Sequence, residues 1–206
     1  MAGIDAWTEF WGLHSPASPA LLHDTGVLSW GELSTVWHPG TRASQRARLV
    51  APGLRVAGIG PGDTVGPASV GSGVSVIELL LGCARLGAVT DLTCGAPDVP
   101  LPHDLPDPGP RHSGPAMGAP LLRVPGDLDP DRAVTQTHHD VEALAVAGIA
   151  ADGLWPADRV AASGTLVDRL VAALPALHAG AAVVAGPPPA GTVPAGFRLT
   201  DPVGSS

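Results

Sequence analysis

One arrangement occurs twice in this chain and limits what it can fold into. Between Gly60 and Thr90 a turn, a short partly β-branched run, an apolar helical run, a glycine and a second short strand follow one another. Between Asp158 and Ala185 the order returns: Arg159-Val160-Ala161-Ala162, the run Leu166 to His178, Gly180, then Ala181-Ala182-Val183-Val184-Ala185. Two strands with a helix between them pair in parallel, whereas a tight turn serves an antiparallel pair. Repeated units of this kind predict an α/β fold: a layered sheet, mixed or parallel, flanked by helices.

The first unit can be read residue by residue. Pro61-Gly62 is a turn dipeptide, and Asp63 can bond its own backbone there. The apolar run Thr64 to Val70 is interrupted by Gly66-Pro67. Proline cannot donate to a ladder, so this strand is short or irregular. Ser75 can cap the helix that follows, Val76 to Leu86. Its apolar residues surround it on almost every side, which predicts burial. Glu78 and Arg85 are its only charges, and Gly87 stops it.

Upstream, Ile4 to Leu13 has apolar residues at helical spacing and ends at Ser15-Pro16. Pro19 to Asp24 and Val27 to Trp30 flank a turn and predict a hairpin. Ser29 with Glu32 three residues on is a capping-box pattern for a helix over Gly31 to Trp37. A second helical run, Thr41 to Val50, carries Arg42, Arg46 and Arg48, read as a solvated face. Trp7, Trp11, Trp30 and Trp37 are expected to anchor the core of this region. From about 97 to 130 proline recurs every few residues. We expect an irregular surface connection there, with Pro120 to Val124 as its one strand. A β-branched run from Ala133 then leads to Asp140, read as the N-cap of a helix over Val141 to Ala150. Pro175 is expected to kink the helix of the second unit. A Gly/Pro-rich tail begins at about 186, so residues 1–206 read as a single domain.

Composition narrows the function classes. The formal charge of −8 argues against a nucleic-acid or anionic-membrane partner. No stretch approaches about 18 unbroken apolar residues, so no membrane span is expected. No basic segment precedes an apolar one at the N-terminus, so no signal peptide is expected. Cys83 and Cys94 then read as reduced thiols of a cytoplasmic protein. The chain contains no Lys, Asn or Tyr, in keeping with a GC-rich genome. Every basic anchor for a phosphate must therefore be Arg or His.

Several residues carry competing readings. Gly58-Ile59-Gly60-Pro61-Gly62 has the glycines of a phosphate cradle, but it precedes a strand, whereas a phosphate loop follows one and opens a helix. It is read as a turn. His138-His139-Asp140 has metal-ligand residue types, with His103 and His112 as distant companions. Adjacent histidines point in different directions and no Cys or Glu cluster joins them, so this is read as a helix entry and no metal is expected. Cys94 has no histidine at a recognised local spacing and is read as a plain loop thiol. No catalytic residue is assigned.

Seven segments in order resemble the N-terminal part of the adenylate-forming (AMP-binding) superfamily, the acyl-CoA synthetases and peptide-synthetase adenylation domains. Pro19-Ala20-Leu21-Leu22 with Leu28-Ser29-Trp30-Gly31-Glu32-Leu33 resembles its opening hairpin and "tyr-x-glu-leu" helix start, Trp30 standing where tyrosine is usual. Gly58 to Val65 resembles its "G-V-x-P-G-D-x-V" turn, and Leu79 to Val89 its "A-x-x-x-x-G-A" helix and strand. Val134-Thr135-Gln136-Thr137-His138 resembles the "V-x-x-T-H" that follows its phosphate loop. Asp158-Arg159-Val160 and Leu177 to Val184 resemble its next "D-R-V" and "L-x-x-G-A-x-V-V". The set covers most of the chain and is similar to short AMP-binding-like proteins of actinobacteria.

The departures are chemical. The family's phosphate loop, rich in Ser, Thr and Gly and ending in Pro-Lys-Gly, belongs just before Val134. Here that place reads Pro125-Gly126-Asp127-Leu128-Asp129-Pro130-Asp131-Arg132, without lysine or a glycine cluster. Three carboxylates there repel a triphosphate. Ser163-Gly164-Thr165 has suitable residues but follows Thr137-His138, in the wrong order. The family's later segments, including the adenine-contacting motif and the catalytic lysine, do not occur before Ser206. The resemblance thus implies the frame of a truncated AMP-binding-like domain, a pseudoenzyme without cofactor that acts by association with a protein partner or with itself. The alternatives are residual binding of an acyl or nucleotide ligand, with Thr137 and His138 as the candidate cofactor-binding positions, and an AMP-forming acid ligase. Without the rest of that family's domain, the helices Val76–Leu86 and Leu166–Leu177 are expected to leave apolar faces uncovered.

Overall fold

The computed structural model describes residues 3–23, 26–34, 51, 53–67, 76–93, 117–126, 132–185 and 193–194. Five helices and nine strands are described: α1 Ile4–His14, β1 Pro19–His23, β2 Gly26–Ser29, α2 Trp30–Leu33, β3 Thr64–Val65, α3 Val76–Leu86, β4 Val89–Asp91, β5 Pro120–Pro125, β6 Ala133–Thr137, α4 His138–Asp152, β7 Arg159–Ala162, α5 Leu166–Ala179, β8 Ala182–Ala185 and β9 Val193–Pro194. A helical turn at 53–56 precedes β3. Ser75, Trp37, the run 41–50 with its arginines, Cys94, His103 and His112 lie outside the described residues.

The strands form two sheets, ordered β2-β1-β8-β7-β9 and β3-β4-β5-β6. Both repeated units give parallel pairs: β3 with β4, Thr64 opposite Val89, and β7 with β8, Val160 opposite Val183. β1 and β2 form the expected antiparallel hairpin. β1 also pairs in parallel with β8, Leu21 opposite Val183, joining the hairpin to the second unit. β4 and β5 are parallel, whereas β6 returns antiparallel to β5. Each sheet is therefore mixed.

The helices fill the space around and between these sheets. α3 contacts α1, α5, β4 and β5. All eleven of its residues are buried. Leu170 to Leu177 of α5 are buried as well. The expectation that these two helices leave apolar faces uncovered is not met, because this chain's own elements cover them. The core is continuous from Leu21, Val160 and Val183 of the first sheet through Leu80 and Leu174 to Leu121 and Leu122 of the second. A smaller cluster sits between α3 and the 53–56 turn, holding Leu54, Val65, Cys83 and Leu86.

The two charges of α3 are buried with it. Arg85 reaches Glu9 of α1, Nη1 to Oε1 3.7 Å, tying the first helix to the central one. Trp7 and Trp30 are buried and Trp11 is half-buried, as anchors of the N-terminal region. Gly87 and Gly180 stop α3 and α5 with φ of 73° and 80°, values that a side chain rarely tolerates. Helix α5 runs unbroken as α-helix through Pro175. The ring of Pro175 lies where a Cβ on Gly148 of α4 would stand, so the glycine receives the proline and the two helices approach closely.

The start of α4 corrects one expectation. Thr137, in extended conformation, is the N-cap, and the helix begins at His138 rather than at Val141. Asp140 is the third helical residue. The β-branched run that pointed to a strand ends in Thr137, whose hydroxyl accepts from the Asp140 N–H.

Candidate functional site

The place to test for a nucleotide site is the β5–β6 hairpin and the helix it feeds. Strands β5 and β6 are held in register from Leu122 opposite Gln136 to Pro125 opposite Ala133. The hairpin closes where Gly126 N–H donates to the Arg132 carbonyl at 2.8 Å. Residues 127–131, between those positions, lie outside the described residues. Their sequence contains Asp127, Asp129 and Asp131. Among the described residues, this hairpin carries two cations, Arg132, which is exposed, and Arg123 on β5. Arg123 is engaged: its Nη1 donates to Asp91 Oδ2 at 3.3 Å. Asp91 ends β4, is buried, and accepts through Oδ1 from the Thr93 N–H at 2.8 Å and from the Thr93 hydroxyl.

A helix N-terminus attracts anions through N–H groups that lack intrahelical partners. In α4 those groups are already used. His138 N–H donates to the Ala119 carbonyl at 3.2 Å and His139 N–H to the Met117 carbonyl at 2.9 Å. Asp140 N–H donates to Thr137 Oγ1 at 3.2 Å. In return, Asp140 Oδ2 accepts from the Thr137 N–H at 2.8 Å and from its hydroxyl at 2.7 Å. The helix dipole thus meets a resident carboxylate, which holds the position an external anion would need. α5 begins in the same way, with Thr165 as N-cap and Asp168 accepting from its N–H at 2.9 Å. Both boxes fit the Thr-x-x-Asp pattern, a signal in the sequence that the Asp140 reading overlooked.

The candidate positions separate. The Thr137 side chain is committed to Asp140. His138 is buried, 2% exposed, whereas its neighbour His139 is exposed. Among the described residues no three His, Cys, Asp or Glu side chains come together in a way that could hold a metal. Cys83 lies in the smaller core, where burial pushes its thiol up to about 12 against a lesser opposing effect of the Thr90 hydroxyl. It is a packing residue with negligible thiolate at neutral pH. The Gly58–Gly62 segment is a turn, with Gly60 N–H donating to Asp63 Oδ2 at 2.8 Å and Gly62 N–H to the Gly87 carbonyl at 2.8 Å. Among the described residues no helix is long and apolar enough to cross a membrane.

No protein-family model and no curated protein sequence matches this chain. Solved structures do match it. The fused adenylation–carrier di-domain NpsA-ThdA from Klebsiella oxytoca superposes with a TM-score of 0.68 at 14% identity, over 92% of this chain and 40% of that one. A benzoate CoA ligase from Burkholderia xenovorans LB400 gives 0.67 at 16% identity, over 89% and 45%. VinN, solved with L-aspartate, gives 0.67 at 14% identity, over 89% and 57%. The chain therefore spans less than two thirds of each of these proteins.

Proposed function

We propose a non-catalytic, association-based role for this chain, which has the fold of the N-terminal domain of adenylate-forming enzymes, the AMP-binding superfamily. The observation that carries the proposal is the acidic, lysine-free link between β5 and β6. Activation of an acid by ATP develops charge on transferred phosphates, and it needs cations and free backbone donors aimed at them. The sequence of this link has Asp127, Asp129 and Asp131 with Arg132 as its one cation, and the helix after β6 spends its first donors on Ala119, Met117 and Thr137. We read residues 1–206 as a single AMP-binding-like domain whose retained frame serves contact with a protein partner or with a second copy. Large apolar side chains outside the core support contact: Leu13 is 65% exposed, Val27 58% and Trp155 71%.

Two measurements on the purified chain test this. Acid-dependent exchange of pyrophosphate into ATP is expected to stay at the level of a no-acid control for every carboxylic acid tried. Analytical ultracentrifugation at micromolar concentration is expected to show association with itself or, after co-expression, with a co-purifying protein. Exchange above the control overturns the non-catalytic reading. A clean monomer that binds neither a partner nor a hydrophobic dye overturns the association reading.

A further inference from the structure

Helix α4 lacks a polar face. It contacts α5, β6 and α1, and it buries His138, Val141, Ala145 and Gly148. The opposite face is exposed. His139, Ala143, Val146 and Ala150 follow at steps of four, three and four, the spacing of a helix–helix seam, and Ala147 flanks them. From Ala143 to Ala151 there is no polar side chain. A helix that is apolar all round is ordinarily covered all round, yet Val146 stands half exposed. Just past the Gly153 cap, buried Leu154 anchors the chain and Trp155 is presented, 71% exposed. Its backbone is fixed: Trp155 N–H donates to Asp158 Oδ2 at 2.7 Å, and Asp158 N–H donates to the Trp155 carbonyl at 3.0 Å. A large aromatic on a pre-organised turn is the kind of residue that anchors an interface.

We propose that this face of α4, with Trp155, is where two copies of the chain pair, α4 against α4, antiparallel about a two-fold axis beside Ala147. The proposal rests on the association reading above and names its surface and its occupant. Charge selects a second copy. The chain carries a formal −8, so two copies repel over most of their surfaces and meet with least repulsion where no charge stands. His139 lies at the N-terminal end of its own helix, where a positive side chain is disfavoured. The last turn of α4 has no basic residue. Antiparallel pairing answers both: His139 of one copy comes to the end of the other that carries Asp152, Trp155 and the negative pole of the dipole. The two-fold makes the same contact twice. Alanines at the centre let the helix axes approach closely, and Val146 of each copy meets the other near the axis. One helix pair and two indoles make a small interface, so the dimer is expected in the micromolar range.

Sedimentation equilibrium of the whole chain over a micromolar concentration series is expected to show a monomer–dimer equilibrium. Val146→Glu sets two like charges near the axis and Trp155→Ala removes the anchor, so each should weaken the dimer by at least about tenfold. Both positions are exposed, so circular dichroism of the variants should match that of the unaltered chain. Cross-linking gives a second reading that needs no loss of binding. In a Cys94→Ser background, with Cys83 buried, Ala147→Cys should close a disulfide between copies under mild oxidation and Leu13→Cys should not. A monomer throughout the series overturns this pairing, and if that monomer still binds a co-purifying protein the broader association reading survives it. A dimer undiminished in Val146→Glu, or cross-linked through Leu13→Cys and not through Ala147→Cys, overturns this surface and leaves self-association standing.

Discussion

At the scale of single residues, capping decides more than residue identity suggests. Asp140 invites reading as an N-cap, yet its carboxylate works three positions into α4 as one half of a reciprocal pair with Thr137. Thr137→Ala and Asp140→Ala are each expected to cost about 1 kcal/mol. Because they remove the same interaction from two sides, the double variant should cost clearly less than the sum. Urea midpoints of the four proteins check this, and strict additivity would mean that the two side chains act independently. His178 adds a pH dependence at the same scale. Its folded-state affinity for the proton is depressed, so the unfolded chain binds more protons and stability rises with pH through that window. The contribution is complete above 6.5 and is lost as pH falls toward the folded value. The urea midpoint should drop between pH 7.5 and 5.5, and the part due to this residue should vanish in His178→Gln.

At the scale of elements, α4 and α5 are held together by a missing side chain. Gly148→Ala places a methyl in the volume of the Pro175 ring and is expected to cost about 1–3 kcal/mol through overpacking. Pro175→Ala in the same background should recover part of the loss, so a double-mutant cycle should show coupling of at least about 0.5 kcal/mol. Thermal or urea unfolding measures it. The elements themselves were largely legible. An apolar run ended by glycine identified α3 and α5, and the hairpin followed from two short apolar runs about Gly26. The partners of the strands were not legible, because Leu21 and Val183 carry no mark of each other and pairing between distant short strands is settled by the whole core. Nor was the cover over α3. An all-round apolar helix announces burial but does not say whether its own chain supplies it. At the candidate site, the missing lysine and the aspartates could be read directly from the sequence. The donors from His138 and His139 to Ala119 and Met117 could not, since they depend on where a preceding loop runs.

At the scale of the whole molecule, two mixed sheets are joined across a helical interior, and the exposed apolar residues Phe10, Leu13 and Trp155 lie outside it. The pairing of β1 with β8 has a consequence for biosynthesis. Leu21 and Leu22 find Val183 and Val184, and the nearby bond from Trp11 to His178 spans 167 positions of the chain. At about 5–20 residues per second, a ribosome leaves the opening hairpin waiting on the order of ten seconds for its parallel neighbour. Contacts this distant also make closure slow once the neighbour has arrived. The opening helix and hairpin are therefore the part of the nascent polypeptide most in need of a chaperone's shelter, and a ribosome stalled before Ala182 would leave Leu21 without the strand that covers it.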